Sequence, residues 1–351
     1  MTGHDFVCDL GEVGAGDRAA VGGKAASLGQ LLRAGIPVPP GFAVTVAAFE
    51  RTLAAADPPG GIRREIEALD AADTAAVAAW AAQVRARIAG APLPAEVEEE
   101  ITARYRALGG GPVAVRSSAT GEDSAEASFA GLQDTYLWVC GAEAVVEHVR
   151  QCWASLYNAE AVAYRLRMNA AERNVAMAVV VQRMVEPRCA GVMFTCSPVT
   201  GDRSVIAVEG SWGLGSALVS GEVTPDSFVI SKVTGEIVRR TVSAKLRLHR
   251  RDPDGSGVTA DDVPDPLRDR PCLDDAEIAA LAQLGRRVED LYGAPQDIEW
   301  AITDEGVVLL QSRPETAWAR RAAAPVATPR PRAVDHVFEH LGRVNKVTPE
   351  R

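Results

Sequence analysis

Leu28, Leu31 and Leu32 recur at helical spacing, and Gly35 and Pro37 follow as stop signals, so residues 24–34 read as a short helix entered from Gly22-Gly23. The Ala-rich stretch 61–108 has helical composition, and Pro92 with Pro94 divides it into two predicted helices. Val113-Ala-Val-Arg116 reads as a buried strand that runs into Ser117-Ser118 and a loop of small and acidic residues at 119–131, suited to movement. Helical sequence occupies 143–168. Residues 175–182 then carry the nearly unbroken apolar, β-branched pattern of a strand covered on both faces. Further strands are expected at 191–195, 204–208, 227–231 and 236–241. A helix at 275–291 follows from the spacing of Ile278, Leu281, Leu284, Val288 and Leu291. The stretch 250–270, rich in Asp, Pro and Gly, reads as a loop or mobile insertion. From residue 317 the pattern dissolves into Ala, Arg and Pro, the composition of a linker, before a short amphipathic helix at 334–341. No internal repeat is evident.

Composition narrows the classes. With 351 residues, 47% of them hydrophobic, the chain has enough apolar surface for one large domain or two to three lobes. Its 47 acidic and 37 basic residues give a net charge of −10, the wrong sign for a nucleic-acid backbone partner. No run of 18 apolar residues occurs and the first residues lack a signal-peptide pattern, so the expectation is a cytoplasmic protein with no membrane partner. The six cysteines are scattered without a Cys-x-x-Cys pair, which suggests neither a zinc site nor a disulfide framework.

The sharpest chemical feature lies near the end of the patterned region. Residues 296–303 and 307–313 flank Asp304-Glu305-Gly306, a hairpin with a three-residue loop and Gly at the left-handed position. A register centred on residue 305 sets Glu299 opposite Gln311 and Asp297 opposite Arg313. Period-2 alternation puts these four on one face and Ile298, Trp300, Ile302, Val308 and Leu310 on the other. A carboxylate facing an amide oxygen suits Mg²⁺, which takes few protein ligands and completes its shell with phosphate oxygens and water. Arg313 beside them would clamp phosphate. The same pattern also fits a surface hairpin whose polar face meets water and whose Asp297 and Arg313 pair across the strands.

Three further features bear on that choice. Lys24 follows a Gly-Gly turn at a helix start, where free amides, the helix dipole and the ammonium together suit an anion. It is not a Walker A loop, because Arg18 and Ala25 stand where that motif has Gly and Ser or Thr. Arg116 on a buried strand needs an anionic partner, either a ligand or a structural carboxylate. Glu209-Gly-Ser-Trp-Gly-Leu-Gly215 is a strand entering a Gly-rich turn, but Leu218 stands where a dinucleotide fingerprint would need its third Gly.

In order along residues 10–316, several stretches resemble the ATP-grasp nucleotide-binding domain of the pyruvate phosphate dikinase and phosphoenolpyruvate synthase family, which includes rifampin phosphotransferase. They are Val21-Gly-Gly-Lys-Ala-Ala-Ser-Leu-Gly, Ile36-Pro-Val-Pro-Pro-Gly-Phe, Val115-Arg-Ser-Ser-Ala-Thr-Gly-Glu-Asp, Ser128-Phe-Ala-Gly-Leu-Gln-Asp-Thr-Tyr, Val181-Gln-Arg-Met-Val, Ala190-Gly-Val-Met-Phe-Thr, Trp212-Gly-Leu-Gly and Gln311-Ser-Arg-Pro. The resemblance implies an α+β, ATP-grasp fold of two lobes, with mixed or antiparallel sheets flanked by helices and the nucleotide between them. The lobes would be 1–190, with a helical insertion at about 61–108, and 191–316, followed by the 317–351 tail. By the same resemblance Lys24, Arg116 and Arg313 would act on the phosphates, and Gly131 and Thr135 would belong to a loop closing over them. Gln182 and the neighbouring backbone at Met184 would meet the adenine, and Glu299 and Gln311, with Asp297 nearby, would hold Mg²⁺.

The family's reaction converts ATP to AMP and phosphate while phosphorylating a histidine on a swivelling domain, with metal and cationic groups stabilising the transferring charge. This sequence has His4, His148, His249, His336 and His340, none in the Gly-rich, Ala-following setting of the family's acceptor; His336 and His340 sit four apart in the tail. The expectation is therefore a split dikinase subunit, with a separate phosphohistidine-domain protein and an acceptor-binding protein that pass the phosphoryl group to a small molecule. Two rival readings are an ATP-grasp kinase or ligase acting directly on a small molecule and a non-catalytic nucleotide sensor.

Overall fold

The first half of the chain builds one sheet and its helical cover: β1 (Val7–Asp9), α1 (Arg18–Arg33), β2 (Gly41–Val44), α2 (Val46–Ala56), α3 (Gly61–Glu67), α4 (Thr74–Gly90), α5 (Ala95–Ala107), β3 (Val113–Ala119), β4 (Thr135–Val139), α6 (Ala142–Ser155), α7 (Ala159–Arg167) and β5 (Met177–Arg183). The second half adds β6 (Cys189–Phe194), β7 (Val205–Trp212), α8 (Ser216–Val219), β8 (Asp226–Ser231), β9 (Ile237–Thr241), β10 (Arg247–Arg251), β11 (Val258–Asp262), α9 (Asp265–Arg268), α10 (Asp275–Tyr292), β12 (Gln296–Thr303) and β13 (Gly306–Pro314). This computed structural model describes residues 6–57, 60–120, 134–168, 175–253, 257–316 and 318. Gly131, most of the 119–131 loop, His336 and His340 lie outside them.

The five-stranded sheet runs β1-β2-β5-β3-β4 and the six-stranded sheet β13-β12-β6-β7-β8-β9. Every ladder in both is antiparallel. β5 sits at the centre of the first sheet, which explains its unbroken apolar run. Val180 packs into the core shared with α1, α10 and the second sheet, while Met177, Val179 and Val181 face the core under α2 to α7. Helix α10 presents Ile278, Leu281, Leu284 and Val288 to the second sheet, and burying four such side chains contributes about 6–12 kcal/mol before entropy is counted. A reciprocal Asp274–Glu277 capping box starts α10 and Gly293 (φ 66°) ends it. Among the described residues no helix is long and apolar enough to cross a membrane.

Three sequence expectations are corrected. The 61–108 stretch forms three helices, because Asp70 and Asp73 turn the chain between α3 and α4: their carboxylates accept the amides of Ala72 and Ala76. The 250–270 stretch is not a plain loop. It holds most of a β10–β11 hairpin and α9, with His249 opposite Ala260 and Arg251 opposite Val258. The hairpin meets Gly213 through a bridge at mid-strand His249, and Arg251 lies 5.3 Å over the Trp138 ring of β4. Trp138 has φ 59°, a costly conformation for a bulky residue.

The third correction concerns the β12–β13 hairpin. Its turn is two residues, with Thr303 opposite Gly306, and a bulge between Glu299 and Trp300 makes up the count. Asp297 faces Arg313 and Glu299 faces Gln311 as expected, but on the tip side Trp300 pairs with Leu309 and Ile302 with Val307. Leu309 and Val307, rather than Leu310 and Val308, therefore share the core side with Trp300, because a one-residue shift exchanges faces. Leu310 is the extra residue.

Residues to Pro314 form one compact unit and Glu315–Arg351 a second. Of the second only Glu315, Thr316 and Trp318 are described, the Trp318 amide donating to the Glu315 carboxylate at 3.2 Å.

Candidate functional site

A cleft of about 310 Å³ lies between the two sheets, walled by Arg116 and Thr135 from the first and by Val192, Glu299 and Trp300 from the second. The connection from β5 to β6 supplies Met184, Val185 and Pro187, and the turn after β7 supplies Leu214, Gly215 and Ser216. The lining is thus apolar at Met184, Val185 and Pro187 and charged at Arg116 and Glu299. Trp300 is fully buried beneath this wall, and Gly191 and Gly210 make room for it: a Cβ at either would come within 2.7 Å of its ring.

Arg116 joins the sheets at the charged part of the lining. It is 9% exposed and mid-strand, since β3 continues to Ala119 rather than ending at Arg116. Its Nη2 donates to Glu299 Oε2 at 3.0 Å and to Gln311 Oε1 at 2.6 Å, and its Nη1 donates to the Leu310 carbonyl at 2.8 Å. The bulge thus turns a backbone oxygen onto the guanidinium. Arg116 Nε finds no hydrogen-bond partner among the described residues. Glu299 and Gln311 converge on one cationic nitrogen, a donor set of two hard oxygens. Among the described residues no group of three or more His, Cys, Asp or Glu side chains could hold a metal, so any ion here would draw further ligands from a substrate.

The other predicted residues lie around this centre. Asp297 and Arg313 pair on the same hairpin, Arg313 Nε and Nη2 donating to Asp297 Oδ2 at 2.9 and 2.8 Å. Thr135 opens β4 opposite Arg116 and lines the cleft. Gln182 lines it too, with its side-chain amide donating to the Pro39 carbonyl at 3.1 Å. Met184 is in the apolar part of the lining, but its amide already donates to Pro112 at 3.0 Å, as that of Arg183 does to Pro40 at 2.9 Å. Lys24, Asp297, Gln311 and Arg313 are not on the cleft wall. Lys24 is half-buried in α1, just past a break at Gly22 (φ 76°, ψ 176°).

That break is held from β3. Ser118 Oγ donates to the Val21 carbonyl at 2.9 Å and accepts from the Ala25 amide at 3.3 Å, so one buried hydroxyl spans the turn. A Cβ on Gly22 would lie 2.0 Å from the Ser118 carbonyl oxygen. Ser27 Oγ ties the same helix to the Ser312 carbonyl at 2.7 Å, placing the Lys24 helix against the hairpin. The sequence reading missed the Ser118 staple and the Leu310 carbonyl. Glu209 was singled out only as part of a Gly-rich turn, yet through Val192 it shares the cleft-side face with Glu299. Burial raises its pKa above the ordinary carboxylate range.

Residues 18–333 match the family model described as pyruvate phosphate dikinase, AMP/ATP-binding domain. The chain is 46% identical over 317 residues to a "probable phosphoenolpyruvate synthase" of Methanothermobacter thermautotrophicus, covering 89% of this chain and 46% of that protein. It is 46% identical over 319 residues to a rifampicin phosphotransferase of Streptomyces sp, covering 90% and 36%, respectively. A prodigiosin synthesizing transferase of Serratia marcescens is 43% identical over 310 residues, covering 88% and 33%. The chain spans less than half the length of each of these curated relatives.

Proposed function

Since the chain belongs to the pyruvate phosphate dikinase AMP/ATP-binding domain family, we propose that it is the ATP-using part of a dikinase, with an ATP-grasp arrangement that seats the nucleotide in the cleft between its two sheets. The observation that carries this reading is the Arg116 guanidinium on the cleft wall, which draws Glu299 of that wall and Gln311 beside it onto one nitrogen. The adenine would enter the apolar part of the lining at Met184, Val185 and Pro187, near Gln182. Because the amides of Arg183 and Met184 are spent on structural bonds, the base edge would be met by carbonyls or by Val185.

The triphosphate would reach Arg116, with Lys24 and Arg313 supplying further positive charge and Thr135, with Gly131, closing above. Glu299 and Gln311 would hold Mg²⁺ beside phosphate oxygens, Asp297 adding negative charge nearby; the ion would offset charge on the transferring group. A carboxylate has more lone pairs than the one bond to Arg116 uses, so Glu299 can serve both cations. The phosphoryl acceptor in this reading is a histidine on a separate phosphohistidine-domain partner in the cytoplasm, which hands the group to a small molecule held by an acceptor-binding protein. Neither described histidine, His148 or His249, is on the cleft wall. Incubation with ATP, Mg²⁺ and a candidate His-domain partner should give AMP, phosphate and a phosphorylated partner. ADP as the sole product would refute the dikinase assignment, and turnover on a small molecule alone would replace it with a direct kinase.

A further inference from the structure

The Gly-rich turn after β7 places Ser216 on the cleft wall, and a histidine from a distant strand holds its hydroxyl. Ser216 Oγ lies 2.9 Å from His249 Nδ1, and His249 Nε2 lies 3.2 Å from Glu222 Oε2. His249 is on β10, and its backbone is locked to the same turn: the Leu214 amide donates to the His249 carbonyl at 2.8 Å. Gly213 (φ 75°) admits that contact, since a Cβ there would stand 2.4 Å from the His249 oxygen. The His249 side chain is only 12% exposed, so the imidazole is packed into place. The chain of groups from Glu222 through His249 therefore ends on a residue of the cleft wall, Ser216, with His249 and Glu222 behind it.

The hydrogen-bond roles along this chain follow from Glu222. Hydrogen bonds from Ser220 and His249 lower its pKa, so it is ionised and only accepts. His249 Nε2 must then carry the proton. With that single proton on the ring, Nδ1 is bare and the Ser216 hydroxyl donates its hydrogen to it. What Ser216 has left for the cleft is oxygen lone pairs. It is thus a hydrogen-bond acceptor, a poor match for phosphate oxygens and a good one for a ligand hydroxyl or amino group. Ser216 is half-buried, with apolar Leu214 on one side and exposed Val219 one turn on.

We propose that His249, held by Glu222, is a positioning residue that fixes Ser216 as the acceptor for a ribose hydroxyl of the bound nucleotide. This rests on the ATP-binding reading above and adds a sugar contact to it. The adenine amino group is the other donor a nucleotide offers, and Gln182 together with the carbonyls near Met184 is placed to take it.

The test compares affinities of the 351-residue chain for ATP, for 2′,3′-dideoxy-ATP and for purine riboside triphosphate, which lacks the amino group. The wild-type chain should bind ATP about threefold to tenfold more tightly than the dideoxy analogue, the worth of one neutral hydrogen bond. Ser216→Ala and His249→Phe should each bring that ratio close to one. His249→Asn, which presents a carbonyl oxygen where Nδ1 was, should restore it, an outcome that a purely structural role for His249 does not give. A ratio that persists in Ser216→Ala overturns the proposal, as does loss of discrimination against the amino-lacking analogue instead. Failure of the wild-type chain to bind ATP at all would refute the parent reading rather than this one.

Discussion

Deleting Leu310 removes a residue from a strand beside the core, yet the hairpin register predicts that the fold survives. On the base side of the bulge paired residue numbers sum to one value, and on the tip side to one less. Without Leu310 a single ladder runs through, with Gln311 still opposite Glu299 and Leu309 still opposite Trp300. What is lost is the Leu310 carbonyl bond to Arg116 and a half-exposed side chain. A hydrogen bond to a charged group is worth about 1.5–3 kcal/mol and the partial burial about 1 kcal/mol, so the deletion should cost about 2–4 kcal/mol. Deleting Ser312 is the contrast. It lies past the bulge, so either Gln311 or Arg313 must turn onto the face of Ile298, and the Ser312 bonds to Gln296 and Ser27 go with it. An unpaired buried charge or amide adds about 3–5 kcal/mol to those losses, and that variant should not fold. Denaturant unfolding of both variants, read by circular dichroism, distinguishes them. Equal loss of stability in the two would refute the register argument.

Other consequences are testable by simpler substitutions. Gly22→Ala forces a methyl against the Ser118 carbonyl in a backbone region open almost only to glycine, and should cost about 3 kcal/mol or more in denaturant unfolding; an unchanged midpoint would contradict the staple. Asp226→Asn should cost about 3–5 kcal/mol, because it leaves the fully buried Lys245 ammonium, 2.7 Å from Asp226, without its counter-charge; a loss under 1 kcal/mol would show that the ammonium finds another partner. Glu209 has a raised folded pKa, so its contribution to stability is present below the usual value of about 4.5 and is lost as pH rises through the raised one. Glu209→Gln should therefore be more stable than the parent at pH 7 and no more stable at pH 4, and the opposite trend in paired melts would contradict the burial argument.

The sequence carried some of this structure openly. The Glu299–Gln311 and Asp297–Arg313 pairs were readable because strand alternation and residue count fix who faces whom. The bulge was not, because a three-residue loop and a two-residue turn plus one extra residue consume the same count. The break at Gly22 was visible as Gly-Gly-Lys, whereas its anchor Ser118 is far away in sequence and came only with the fold. Arg247 to Arg251 and Val258 to Asp262 form strands with charged residues on both sides, so no apolar period marked them. For the same reason His249 read as one histidine among five. Gly131 was named from family resemblance alone and is outside the described residues.

The contact between Arg251 and Trp138 makes the β10–β11 hairpin an optical gauge. Strand β10 is bridged at its middle residue, His249, to Gly213 just after β7 of the second sheet, and two residues on its Arg251 rests on the indole of the first. Indole emission responds to a cation over the ring face, so a change in the spacing of the two sheets would register as a change in native fluorescence. Subtracting the spectrum of an Arg251→Gln chain would isolate that signal, and opening and closing of the cleft could be timed without attaching a dye.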